Sequence, residues 1–125
     1  MSRKSDKIWE IYFGNSTKAY DAFDRLIYKN KYIDNSHYSE KGVWTLDHIF
    51  PRKPLDDNYT PERRGSDSIY NLQPLSVVSN QEKGSSLRGK VNGITFSIKI
   101  IQKNDSSIVG RMMVKLGDTW YWAYE

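Results

Sequence analysis

Trp44–Gly84 reads WTLDHIFPRKPLDDNYTPERRGSDSIYNLQPLSVVSNQEKG, and the order of its residue types decides the fold. Val43–Ile49 is rich in aromatic and branched residues and predicts a strand. Pro51–Ser68 carries Pro51, Pro54, Pro61, Gly65 and the run Asp56-Asp57-Asn58, so it predicts a long loop. Loops of that length inside a compact domain commonly carry function. Ser68–Leu72 predicts a second short strand. Pro74 and Ser76 can open a helix that runs to Lys83 and stops at Gly84, the residue type favoured just past a helix end. The centre of the chain is therefore strand, loop, strand, helix.

Upstream, Ile8, Trp9, Ile11 and Tyr12 in Lys7–Phe13, closed by Gly14, favour a short helix, with a strand as the alternative. After an N-cap at Asn15 or Ser16, Tyr20, Phe23, Leu26 and Ile27 fall on one stripe, which predicts a helix near Thr17–Lys29. Downstream, Asn92-Gly93 is a hairpin signal, and Ile94, Phe96, Ile98 and Ile100 alternate with polar residues. Lys103–Ser107 reads as a turn, Ile108–Leu116 as a strand, Gly117-Asp118 as a turn and Thr119–Tyr124 as a last strand. The fold class expected is α+β: N-terminal helices, a central ββα segment over about 43–84, and a C-terminal antiparallel β-sheet over about 85–125. All of it forms one domain, 1–125.

Composition narrows the chemistry. The chain has 125 residues, enough for one domain and too few for two ordinary ones. It has no cysteine, which removes disulfides, thiolate metal sites and thiol nucleophiles together. With two histidines, His37 and His48, an all-histidine metal site is excluded as well. A net charge of +4 and a pI near 9.2 suit a polyanionic partner, though many unrelated small proteins are as basic. No stretch approaches a membrane span or a signal peptide, so the expected location is the cytoplasm, with no membrane partner.

The central segment resembles the HNH endonuclease family. Asp47-His48-Ile49 with Pro51, Asn71-Leu72-Gln73-Pro74-Leu75, and Asn80 followed by Lys83-Gly84 stand in the order of that family's three marks. The resemblance covers about a third of the chain tightly, while Trp9, Gly14 and Asp24-Arg25 match bacterial and phage members more loosely. It implies a ββα-metal fold and a metal-dependent phosphodiester hydrolase in a bacterial or phage setting. The partner implied is nucleic acid, with double-stranded DNA the expected substrate. His48 is implied as the general base, Asp47 and Asn80 as metal ligands, and Asn71 as a supporting residue that holds the histidine's loop.

The residue chemistry is consistent with that implication. Hydrolysing a phosphodiester needs an activated water, charge relief on the phosphoryl oxygens and help for the leaving alkoxide. Histidine is the residue type suited to act as a base near neutral pH, which makes His48 the candidate. Adjacent residues of a regular strand point to opposite faces, so Asp47 and His48 can share a site only if the strand bends or ends there. Ser76, Asn80 and Lys83 are spaced to share a helix face. Asp47 and Asn80 make a sparse oxygen pair, which favours Mg²⁺ or Mn²⁺ over Zn²⁺. The third mark is Asn80 where literal H-N-H would have histidine, a departure that changes the metal expected and not the reaction.

The candidate phosphate contacts are Lys83, Arg88, Lys90 and Arg52. Arg52, Lys53, Arg63 and Arg64 interleave with acids, so a solvated mixed-charge loop is as good a reading there as a DNA clamp. His37, in a polar loop, has no role assigned. Trp120, Tyr121 and Trp122 could stack on bases, but an alternating aromatic strand is more often core. The alternatives to an enzyme are a catalytically inactive HNH-like module that binds nucleic acid, and a protein-interaction module. Oligomeric state is open.

Overall fold

The structure is a computed structural model and describes residues 3–34, 40–52, 64–103 and 107–124. Helix α1 (Lys4–Phe13) is followed by strands β1 (Lys18–Tyr20), β2 (Leu26–Tyr32) and β3 (Gly42–His48). A 3₁₀ turn at Ile69–Asn71 leads into β4 (Leu72–Ser76) and helix α2 (Val77–Lys83). The remainder is β5 (Arg88–Val91), β6 (Ile94–Lys103), β7 (Ile108–Leu116) and β8 (Thr119–Trp122). The described elements form two four-stranded sheets, ordered β1-β2-β3-β4 and β5-β6-β7-β8, with two α-helices: a mixed α+β architecture.

The second sheet is the antiparallel meander that the alternation predicts, with Asn92-Gly93 turning Val91 against Ile94. Helix α2 starts and stops as expected. The Ser76 hydroxyl accepts from the Ser79 amide, and Gly84, at φ 56°, donates its amide to the Asn80 carbonyl.

Three expectations are corrected. The N-terminal layer contains one α-helix and not several, because Thr17–Lys29 forms β1, a turn and the start of β2. Its apolar spacing fits a helix, but the Asp21 carboxylate captures the amides of Phe23 and Arg25 at 2.9 Å each. Such side-chain capture of backbone donors favours a turn over a helix. Asp24 sits there at φ 65°, and Phe23 is driven into the core from the turn. The predicted strand at Ser68–Leu72 is displaced, since Ser68 caps the 3₁₀ turn and the strand runs instead through Pro74. The last strand ends at Trp122, two residues early, as Tyr124 takes φ 69°.

Pro74 is tolerated because β4 is an edge strand. Two tyrosines cover carbonyls of this strand. The Tyr12 hydroxyl donates to Leu72 O at 3.0 Å, and that of Tyr124 donates to Pro74 O. Burial pushes the Tyr12 phenol up to about 12 and the Tyr124 phenol well above its usual value.

One cluster of buried side chains draws on both sheets: Phe23, Phe50 and Leu75 meet Phe96, Ile98, Ile108, Met112 and Val114. A second joins Trp9, Ile27 and Trp44, with the two indoles 5.0 Å apart, and fastens α1 to the first sheet. No described helix is long and apolar enough to cross a membrane. Residues Lys53, Arg63 and His37, and most of the loop after Pro51, lie outside the described residues.

Candidate functional site

β3 and β4 pair antiparallel with Asp47 opposite Gln73 and His48 opposite Leu72. Strand β3 ends at His48, which meets the condition that Asp47 and His48 need in order to share a site. They line one cavity of about 540 Å³ together with Asn80 of α2 and with Arg52 and Arg64 from the two ends of the loop. The Asp-His pair, the helix asparagine and two guanidinium groups thus converge on one concavity.

Asp47 is buried and fully engaged. Its Oδ2 accepts from Gln73 Nε2 at 2.8 Å, and Lys83 Nζ stands 3.2 Å from each carboxylate oxygen. Lys83 also donates to His48 O at 3.2 Å. It is 1% exposed, so its ammonium neutralises Asp47 and pins the end of β3 and does not reach out to a phosphate. The sequence reading of Lys83 as a nucleic-acid contact is corrected by this geometry. An isolated buried carboxylate is costly, and the lysine one helical turn beyond Asn80 is the nearest available counter-charge.

His48 is part-exposed, and its Nε2 lies 2.7 Å from Asp67 Oδ1. That hydrogen bond holds the Asp67 carboxyl below the usual carboxylate range, against the opposing effect of burial. An ionised carboxylate only accepts, so Nε2 is the donor in this contact, which leaves Nδ1 as the ring nitrogen able to take up a proton. Asp67 is a residue the sequence reading missed. Its signal, an acid four residues before Asn71 at the close of the loop, is legible only once the loop is folded back.

Asn71 performs the folding back. Its Oδ1 accepts from the amides of Phe50 and Gly110, both at 2.9 Å. Its Nδ2 donates to Phe50 O at 3.0 Å and Ser66 O at 2.8 Å, and its carbonyl accepts from Ile49 N at 2.8 Å. The segment after His48, the end of the loop and β7 are thereby joined through one buried amide. Gly65 completes the junction: a Cβ there would lie 1.8 Å from Phe50 O. No side chain fits where these two backbones meet.

Asp21 was also missed. Beyond its turn amides, its Oδ2 accepts from the Ser76 amide at 2.9 Å. Arg25 donates to Ser79 Oγ at 3.2 Å and pairs with Glu82. The N-terminal hairpin therefore sets the position of α2, and with it Asn80. Arg88 and Lys90 are exposed on β5, outside the cavity lining.

As to a metal, the lining of the cavity includes Asp47 and Asn80, whose side-chain oxygens are hard ligands of the kind magnesium accepts. Asp47 already has a cationic neighbour, so a divalent ion would share its carboxylate with Lys83. Among the described residues, no group of three or more His, Cys, Asp or Glu side chains is arranged to hold a metal ion. Any ion here would depend on water and substrate to complete its shell. Compared with known proteins, the chain matches no family model, no curated protein and no solved structure.

Proposed function

We propose that the chain is a metal-dependent endonuclease of the HNH type, hydrolysing phosphodiester bonds in DNA. The observation that carries the reading is the convergence of Asp47, His48 and Asn80 on one cavity flanked by Arg52 and Arg64. His48 acts as the base: with Nε2–H given to Asp67, the ring can take a proton from water at Nδ1. Asn71 holds the segment that follows His48, and Arg52 and Arg64 draw the phosphate into the cavity. Mg²⁺ or Mn²⁺, held by Asp47 and Asn80, would supply charge relief at the phosphoryl oxygens. In-line attack by the water would leave 5′-phosphate and 3′-hydroxyl ends.

The test is to incubate supercoiled plasmid with the protein in Mg²⁺, Mn²⁺ or EDTA. Nicking in either metal, absent in EDTA and absent in His48→Ala, is the expected result. Unchanged plasmid in both metals would overturn the reading. One observation favours the second reading, an inactive nucleic-acid-binding module: the Lys83 ammonium already occupies both oxygens of Asp47. Binding of DNA without metal-dependent nicking would select it.

A further inference from the structure

The four strands of the second sheet carry Arg88, Lys90, Lys99, Lys103, Arg111 and Lys115 and not one carboxylate. Register sorts most of these cations onto a single face. Lys90, Thr95, Lys115 and Trp120 stand side by side across all four strands, as do Arg88, Ser97, Met113 and Trp122. Lys99 faces Arg111 in the next row. Directly opposed residues in a sheet project to the same side, and rows two residues apart share it. The other side holds Phe96, Ile98, Met112 and Val114 in the core, so the cation-bearing side is the outward one.

That face therefore presents five cations and two tryptophans. Arg88, Lys90, Lys99, Arg111 and Lys115 are exposed, Trp120 is 40% exposed, and the Arg111 guanidinium lies 4.3 Å from the centre of the Trp122 ring. Placing Lys99 opposite Arg111 works against folding, since like charges directly across a ladder repel. A bound polyanion would offset that repulsion.

We infer that the outward face of β5–β8 seats a strand of nucleic acid with unpaired bases, its phosphates on the five cations and its bases on Trp120 and Trp122. Charge complementarity selects a polyanion, and flat aromatic rings among the charges select one that carries bases. As a second contact surface for the proposed substrate class the inference rests on the nuclease reading, but binding here requires no turnover. Uncut strand would be held on the sheet while the Asp47–His48 cavity engages the phosphate to be cleaved.

The experiment measures anisotropy of a labelled single-stranded oligonucleotide in EDTA, with wild type, a Lys99→Gln/Lys115→Gln double variant and Trp120→Leu. Circular dichroism confirms that these surface variants fold. The double variant is expected to bind roughly tenfold more weakly and to flatten the slope of log K against log salt by about 1.4 units. Trp120→Leu is expected to weaken oligonucleotide binding by roughly tenfold. It should leave binding of inorganic polyphosphate, which has no bases, unchanged. Oligonucleotide affinity unmoved by either change overturns the inference. So does binding to vesicles of equal parts phosphatidylcholine and phosphatidylserine that falls in the variants while oligonucleotide binding does not. A protein that nicks plasmid while both variants bind as wild type overturns this inference and leaves the nuclease reading standing. Weakened binding in the variants with no nicking by any form supports this inference and overturns the nuclease reading.

Discussion

His48 and Lys83 carry the two sharpest consequences of single side chains. If His48 takes the proton from water, His48→Ala lowers the cleavage rate by about 10²–10⁴-fold with DNA affinity nearly unchanged. Single-turnover rates and binding curves on the same variant check this, and a variant keeping more than about half the activity would remove His48 from that role. Lys83 belongs to stability. Removing one partner of a buried ion pair strands the other charge, so Lys83→Met is expected to cost about 3–5 kcal/mol. The Asp47→Leu/Lys83→Met double variant should recover most of that loss, since no buried charge is left alone. Denaturant melts of the single and double variants decide it. Equal stability of Lys83→Met and wild type would mean that the pair holds nothing.

Elements here are positioned by polar side chains as much as by apolar ones. Asn71 satisfies the buried amides of Phe50 and Gly110 and so connects the end of β3 to β7. Asn71→Ala leaves both donors without their acceptor, at about 1–3 kcal/mol each. A fall of 3 kcal/mol or so in unfolding free energy is therefore expected, and a loss below about 1 kcal/mol would show that water replaces the amide. The hairpin of β1 and β2 teaches the complementary lesson. Tyr20, Phe23, Leu26 and Ile27 have helical spacing, yet Asp21 turns the chain because its carboxylate serves two turn amides and the start of α2 at once. Periodicity could not weigh a partner fifty-five residues away in the chain.

Over the molecule as a whole, the buried phenols of Tyr12 and Tyr124 set an alkaline limit. Both have folded values above the ordinary 10.0, so the stability they contribute is complete below about pH 10. As pH rises from 10 toward 12, the unfolded chain ionises its tyrosines while the fold keeps Tyr12 protonated, and stability falls. Alkaline unfolding should accordingly coincide with tyrosinate absorbance in that range, and Tyr12→Phe should move the midpoint upward. Tyr12 ionising near pH 10 in a protein that stays folded would contradict the role given to its burial.

Local patterns wrote much of this molecule plainly. The strand before His48, the caps Ser76 and Gly84, the Asn92-Gly93 turn and the alternating strands after it all depend on neighbours a few residues apart. The candidate site residues Asp47, His48, Asn71 and Asn80 could be picked out for the same reason, because they stand in short segments of characteristic chemistry. What the linear order left undetermined were partnerships across the fold: Asp67 with His48, Lys83 turned inward onto Asp47, Asp21 bridging to α2, and five cations gathered on one side of a sheet. Each of these depends on burial and on register between strands. A charge beside a buried carboxylate, or a lysine one row from an arginine, acquires its meaning only when distant segments are brought within a few ångströms.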